Sequence, residues 1–245
     1  MRYAAASHVG NTRRENQDGV IVGATGSVGA QQVLLEGLLT APPAGTLVAV
    51  IDGMGGHRGG RDAAAVVGHY LLGIEALPGL AEAATVDAGG LTTAVGELLG
   101  ACNSLVFHLM AQRPELRGMG AAIAGLACLP EAIAVFNIGD ARVYQYSAGY
   151  LLQVSEDHRA PGGGLLQSLG GTDHPVQLTP TTTIHPVEKG TRWLLCSDGL
   201  YDAVPFGALQ EALARDNPRT IAVQMVATAL DNGATDNISL VILDV

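Results

Sequence analysis

The stretch AAIAGLACLPEAIAVFNIGDARVYQYSAGYLLQVS, Ala121–Ser155, decides the fold. Its apolar runs AAIAGLACL, AIAVFNIGD and ARVYQYSAGYLLQVS follow one another with only Pro, Gly or Asp as punctuation, and RWLLCSDG (Arg192–Gly199) continues the series. Short apolar runs at hairpin spacing predict consecutive antiparallel strands. The regular strand–helix alternation that builds a doubly wound parallel sheet is missing.

Upstream, TLVAVIDG (Thr46–Gly53) reads as a strand buried on both faces, because five apolar residues run without polar alternation. Ala63, Val66, Val67, Tyr70, Leu71 and Ile74 recur at helical spacing between Gly59 and Ile74. Val95, Leu98, Leu99, Cys102, Leu105, Val106 and Leu109 do so between Leu91 and Gln112, ahead of Pro114. These two helices are expected side by side on one sheet face. Downstream, a helical zone spans Phe206–Asn232, broken near Pro218, and NISLVILDV reads as a strand. At the N-terminus, MRYAAASHVG predicts an edge strand and DGVIVG a second strand. Ala24–Gly45, with its APPAG, reads as a long loop or irregular insertion. Helices grouped before and after a run of strands indicate an α+β fold of antiparallel sheets covered by helices. No Pro/Ser-rich or charge-run linker divides the chain, so residues 1–245 read as one domain.

With 48% hydrophobic and 15% charged residues, 245 residues can bury a substantial core. The formal net charge of -10 argues against a nucleic-acid surface, which needs clustered Lys and Arg. Cys102, Cys128 and Cys196 are odd in number, widely spaced and set in apolar runs, so they read as reduced core residues without zinc-ligand spacing. The N-terminal residues have no apolar signal core, and no uninterrupted run of about 18 apolar residues occurs. The expectation is a cytoplasmic protein with no membrane and no nucleic-acid partner, taken as a monomer.

Four segments share one design, an Asp beside Gly or Asn at a strand end: NQDGVIV (Asp18), VAVIDGMGG (Asp52), WLLCSDGL (Asp198) and TDNISLVI (Asp236). Any one alone reads most simply as a turn residue. Several such carboxylates converging would repel one another unless a divalent cation lay between them, and hard oxygen ligands suit Mg²⁺ or Mn²⁺. The glycine after Asp52 is read as letting the chain turn sharply there and freeing a main-chain carbonyl for a ligand. A P-loop or dinucleotide site on GMGGHRGG is excluded: Gly-Lys-Ser/Thr is lacking, and an acid precedes the first glycine, where phosphate would be repelled. No Cys-x5-Arg loop follows any cysteine, which disfavours a cysteine nucleophile.

Five ordered motifs resemble those of the metal-dependent protein phosphatases of the 2C type, in their small bacterial form: GNTRRENQD, VIDGMGGHRGG, NIGDARVYQYSAGYLLQVSEDH, LLCSDGLYD and GATDNISLVIL. The resemblance implies a four-layer αββα sandwich, two central antiparallel sheets flanked by pairs of helices, with a short flap around 157–176. It implies a serine/threonine phosphoprotein phosphatase in which two Mn²⁺ or Mg²⁺ ions share the attacking water. Asp52 would bridge the ions, the Gly53 carbonyl would bind one, and Asp198 and Asp236 would complete the other's shell. Asp18 would bind directly or hold metal-bound waters, and Arg13 would grip the substrate phosphate. Substrates would be phosphoproteins, targets of a Ser/Thr kinase. His57, three residues beyond the place where other members carry a histidine, is assigned among acid, water-orienting and turn-capping roles; His158 reads as structural. GAA replaces the family's Gly-Thr-Thr at Ala121 and Ala122, and the acid serving a third ion has no clean counterpart, Glu115 being nearest. The alternative is a catalytically silent phosphatase-like regulatory or binding domain, which would be expected to have lost these carboxylates.

Overall fold

The central stretch forms two antiparallel pairs, 120–128 with 132–138 and 142–147 with 150–153, which lie in different sheets, so its second and third apolar runs do not pair with each other as their spacing suggested. The computed structural model describes residues 1–39, 46–74 and 88–245, apart from the side chains at 56–58 and 88. In chain order the elements are β1 (Arg2–His8), β2 (Asp18–Val22), β3 (Thr25–Val28), β4 (Gln32–Leu38), β5 (Thr46–Met54), α1 (Gly56–Leu72) and α2 (Ala88–Gln112). After a single 3-10 turn at Pro114–Leu116 come β6 (Gly120–Cys128), β7 (Ala132–Ile138), β8 (Arg142–Ser147), β9 (Tyr150–Gln153), β10 (Leu169–Gly170) and β11 (Thr181–Pro186). The chain continues with β12 (Arg192–Cys196), α3 (Asp198–Tyr201), α4 (Phe206–Leu213), α5 (Pro218–Asp231) and β13 (Ile238–Asp244).

Among the described residues the strands form two antiparallel sheets. One has the order β4-β1-β13-β12-β8-β9; the other runs β11-β7-β6-β5-β2-β3, with β10 paired to β6. The β8–β9 hairpin is a two-residue turn with Ala148 and Gly149 both at positive φ (51° and 86°), the geometry that matches strand twist.

Strict alternation along the central strands builds three apolar layers. In β5, Leu47, Ala49 and Ile51 face α1 and α2, packing with Val67, Leu71, Val95, Leu98 and Phe136. Val48 and Val50 face the other sheet, where Trp193, Leu195, Val143 and Val241 meet them. In β12 the partition repeats: Trp193 and Leu195 point to the middle, Leu194 and Cys196 to α4 and α5 through Leu209, Leu213, Ile221 and Met225. Each fully buried Leu, Ile or Val contributes about 1.5–3 kcal/mol, so strands apolar on both faces stabilise two layers at once. The result is helices, sheet, sheet, helices.

Two further expectations are corrected. β1 is no edge strand: it lies between β4 and β13, paired to both along all seven residues. The element that covers its edge, β4, lies inside Ala24–Gly45, which also holds β3; residues 40–45 of that span are outside the described residues. β4 was hidden because Glu36 and Gly37 interrupt its apolar period and its residues are only half-buried. The helical zone after Phe206 is broken near Pro218 as expected, dividing into α4 and α5, with Pro218 opening α5. Asn217 caps it, its Oδ1 accepting from Arg219 N at 2.9 Å.

Within α2, Gly89–Gln112 is long and apolar enough to cross a membrane by length and composition. Leu91, Val95, Leu98, Leu99, Cys102 and Val106 are nevertheless buried in the α1–α2 layer, while Thr92, Thr93, Glu97 and Ser104 are exposed.

Candidate functional site

The seam between the two sheets opens into a cleft of about 720 Å³ lined by Arg13, Asp52, Gly53, Asp140, Arg159, Asp198 and Asp236, among others. The seven-stranded sheet contributes its acids from within strands: Asp18 begins β2 and is the register partner of Asp52 in β5. The six-stranded sheet contributes its acids from strand ends. Asp198 follows β12 at the start of α3, and Asp236 precedes β13 by two residues. Since β12 and β13 pair antiparallel, that end of β12 meets the start of β13.

Gly53 is not the sharp turn expected of it. It is still within β5, and the chain turns at Gly55, which has φ 118°. What Gly53 permits is close packing of α1 on β5: a Cβ there would stand 2.2 Å from the Gly60 carbonyl oxygen and 2.5 Å from that of Gln17. Gly199 does the same for α3, where a Cβ would meet the Asn237 carbonyl oxygen at 2.0 Å. Both glycines thereby bring together the segments that carry the acids.

Asp18 does not line the cleft; it is buried beneath it at 2% exposure. Ser197 Oγ donates to Asp18 Oδ2 at 2.9 Å and accepts from the Ser239 amide at 3.0 Å, so β12 and β13 both hold it. Burial lifts the Asp18 carboxyl to about 7 against the Ser239 and Ser197 hydroxyls, which favour its charged form, while the Asp198 and Asp236 charges lift it further. Asp52 is raised well above the usual carboxylate range, by burial first and then by Asp18, Asp198, Asp140 and Asp236. Asp198 rises to about 6 through burial and the charges of Asp140, Asp236 and Asp202, with Arg159 opposing. Carboxylates that raise one another's pKa are gathered negative charges in want of cations.

Three of the acids are met by two guanidinium groups. Arg13 Nη2 donates to Asp236 Oδ2 at 2.5 Å, a pair about half-exposed, and this bond, with the Asp236 charge, raises the Arg13 pKa. Arg159 donates from Nε to Asp140 Oδ2 at 2.6 Å and from Nη2 to Asp198 Oδ2 at 3.0 Å. Burial works against the Arg159 charge, but Asp140 and Asp198 outweigh it and hold its pKa above the ordinary arginine value. With the side chains so engaged, no three carboxylate, imidazole or thiol groups among the described residues stand as one ready-made ligand group.

The structure adds residues that motif reading left unassigned. Asp140, in the link that crosses from β7 to β8 and so from one sheet to the other, repeats the strand-end design within NIGDAR, and its backbone carbonyl accepts from Tyr201 Oη at 2.9 Å. Asn237 fastens the Arg13 loop: its Nδ2 donates to the carbonyls of Val9 (2.8 Å) and Glu15 (3.1 Å), and its Oδ1 accepts from Gln17 N (2.9 Å). Asn16 Nδ2 donates to Ser7 Oγ at 2.7 Å. Arg142 forks onto Asp157, with Nη2 to Oδ2 at 2.6 Å, and stacks 3.6 Å from the Tyr201 ring centroid, which braces the segment entering 159–165. His158 accepts from Gly139 N at 3.1 Å and bonds Thr181 Oγ1 at 3.1 Å, tying the exit of β7 to β11.

Glu115 is no part of the cleft. It is exposed on the 3-10 turn and accepts from Arg113 Nε at 3.0 Å. The side chain of His57 lies outside the described residues. All three cysteines are buried and unpaired; burial pushes Cys102 and Cys128 up to about 12 and raises Cys196 as well. A thiol so placed is not a nucleophile.

Two antiparallel sheets backed by helices, with acids from both meeting at one seam, define a known class: the family model for Protein phosphatase 2C matches residues 38–235, and the chain belongs to that family. Among curated relatives, the serine/threonine protein phosphatase PstP of Mycobacterium tuberculosis (strain H37Rv) is 30% identical over 263 residues, covering 100% of this chain. The chain spans 45% of that relative's length. The serine/threonine phosphatase stp of Listeria innocua is 26% identical over 219 residues, covering 81% of this chain and 84% of the relative. Among solved structures, the catalytic domain of PstP in complex with two manganese ions superposes with a TM-score of 0.76 at 29% identity, covering 99% of this chain and 97% of that one.

Proposed function

We propose that this chain is a metal-dependent phosphatase of serine/threonine phosphoproteins, with residues 1–245 as one catalytic domain and 157–176 as a short flap. The observation that carries the reading is the convergence of two carboxylates from each sheet on one seam, with a guanidinium at its rim. Donor chemistry fits two Mn²⁺ or Mg²⁺ ions: the donors are carboxylates and a main-chain carbonyl, hard oxygen ligands for hard ions. The Mn²⁺-bound relative supports the same choice of ion.

In this reading Asp52, the Gly53 carbonyl, Asp198 and Asp236 hold the ions, and Asp18, buried beneath the cleft, orients the water around them through its fixed carboxylate. Bound there, the ions supply a water of lowered pKa and neutralise phosphoryl oxygens. Arg13 supplies the fork for those oxygens; a loop pinned by Asn237 presents it, and half of its surface faces solvent, where a phosphorylated side chain arrives. Retention of Asp18, Asp52, Asp198 and Asp236 speaks against a silent binding domain. Cytoplasmic placement, a monomeric state and substrates made by a Ser/Thr kinase belong to the same proposal, the placement supported by three buried unpaired thiols. The test is phosphate release from a phosphothreonine peptide: activity with Mn²⁺ that a chelator abolishes is the expected result. Activity that persists without metal would overturn the reading.

A further inference from the structure

Arg159 has no part in the reaction as proposed, yet its guanidinium bridges the deepest acids on the open side of the cleft. Asp140 is 8% exposed at its side chain and Asp198 24%, while Arg159 itself is 33% exposed. The two arms differ: the Asp140 contact is 2.6 Å from Nε, and the Asp198 contact is 3.0 Å from Nη2. Arg159 also begins a tight loop. It bridges antiparallel to Leu165, Ala160 N donates to Gly164 O at 2.8 Å, Gly163 N to Ala160 O at 2.9 Å, and Leu166 N to His158 O at 2.7 Å. Gly163 and Leu165 of that loop line the cleft beside Asp198. One side chain therefore links a candidate metal ligand to the roof of the site.

We propose that Arg159 is a positioning residue that acts as a tethered cation, competing with a divalent ion for Asp198 and so coupling metal loading to the position of the 159–165 loop. The inference rests on Asp198 being a metal ligand. A positive charge already on Asp198 Oδ2 opposes the arrival of another, and metal uptake must release the Nη2 arm while the shorter Nε arm keeps Asp140. Linkage is reciprocal: whatever releases Arg159 tightens the metal, and the metal loosens the loop.

Two measurements on the full chain test this. Calorimetric titration with Mn²⁺ should show tighter binding in Arg159→Ala, by about tenfold for the loss of one neighbouring positive charge, with Arg159→Lys close to the parent. Hydrogen exchange should show the amides of Ala160, Gly163 and Leu166 speeding up when Mn²⁺ is added to the parent protein, and already fast and Mn²⁺-insensitive in Arg159→Ala. If Arg159→Ala does not fold, Arg159→Gln, which keeps a hydrogen-bonding amide without the charge, carries the same expectation. Equal or weaker Mn²⁺ affinity in the neutral variant, or a parent loop indifferent to Mn²⁺, would overturn the proposal while Mn²⁺-dependent phosphatase activity stood. A parent protein that takes up no Mn²⁺ would overturn the phosphatase reading and this one together.

Discussion

The two sheets carry their acids differently. Asp18 and Asp52 are residues of adjacent strands in the seven-stranded sheet, locked in register, and burial is the strongest effect on both, followed by the Ser239 and Ser197 hydroxyls at Asp18 and by the Asp18 charge at Asp52. Asp198 and Asp236 stand just off strand ends in the six-stranded sheet, and each has a guanidinium on it. One side of the seam is therefore rigid and uncompensated, the other adjustable and partly neutralised. The difference teaches that charge stress in this site is concentrated where the backbone cannot yield, so an added cation gains most there.

Replacing one acid on each side should expose that asymmetry. Asp52→Asn is expected to lower kcat/KM on an aryl phosphate with Mn²⁺ by about a thousandfold or more, several kcal/mol of transition-state stabilisation, and yet to raise the melting temperature of the metal-free protein, since a repelling charge is gone. Asp236→Asn should cost about a hundredfold with no rise in melting temperature, because it strips Arg13 of its partner. Equal thermal shifts in the two variants would break the comparison.

A second variant separates packing from charge on the rigid side. In Gly53→Ala the new methyl would strike backbone at Gly60 and Gln17, and neither can move as a side-chain tip could. A loss of about 2–3 kcal/mol, or about 5–10 °C in melting temperature for a chain of this size, is expected from calorimetry in the absence of metal. Unchanged stability would mean that α1 is free to shift away from β5.

The smallest effect concerns pH. Asp18 near 7 and Asp198 near 6 both lie above the value of about 3.9 they take when unfolded, so at intermediate pH the folded chain holds more protons than the unfolded one. Their contribution to metal-free stability is full below about 3.9 and is lost progressively as pH rises from there to about 6 for Asp198 and about 7 for Asp18. The melting temperature of the metal-free protein should decline over that interval, less steeply in Asp18→Asn, while the rise produced by saturating Mn²⁺ should grow with pH because protons and metal compete for the same oxygens. A decline as steep in Asp18→Asn would remove Asp18 from this account.

How far the sequence could be read follows from the range over which each feature is encoded. Hairpin-spaced runs such as Ala121–Ser155 are local, and they announced the antiparallel sheets; the strand-end design of Asp52 and Asp198 is local too. β4 was illegible because its reason for being a strand is its partner β1, matched in register from Arg2 opposite Leu38 to His8 opposite Gln32, and nothing in its own period says so. Asp140 carried the readable signal, an acid after an apolar run, within NIGDAR. Arg159 carried none, since its role exists only because the fold brings residue 159 to residue 198. Asp18 was legible as an acid of the site but not as one beneath it, for depth is a property of the assembled layers.

The order of the strands has a consequence for how such a site comes into being. Among the described residues the chain passes from one sheet to the other six times, and the six-stranded sheet has β13 at its interior, between β1 and β12. Contacts this far apart in sequence form slowly, because the loop between them must close first. β13 brings Asn237, which fastens the Arg13 loop, and Ser239, whose amide Ser197 accepts while holding Asp18. β13 is thus the strand that assembles the acids, and the site stays incomplete until that strand is in place.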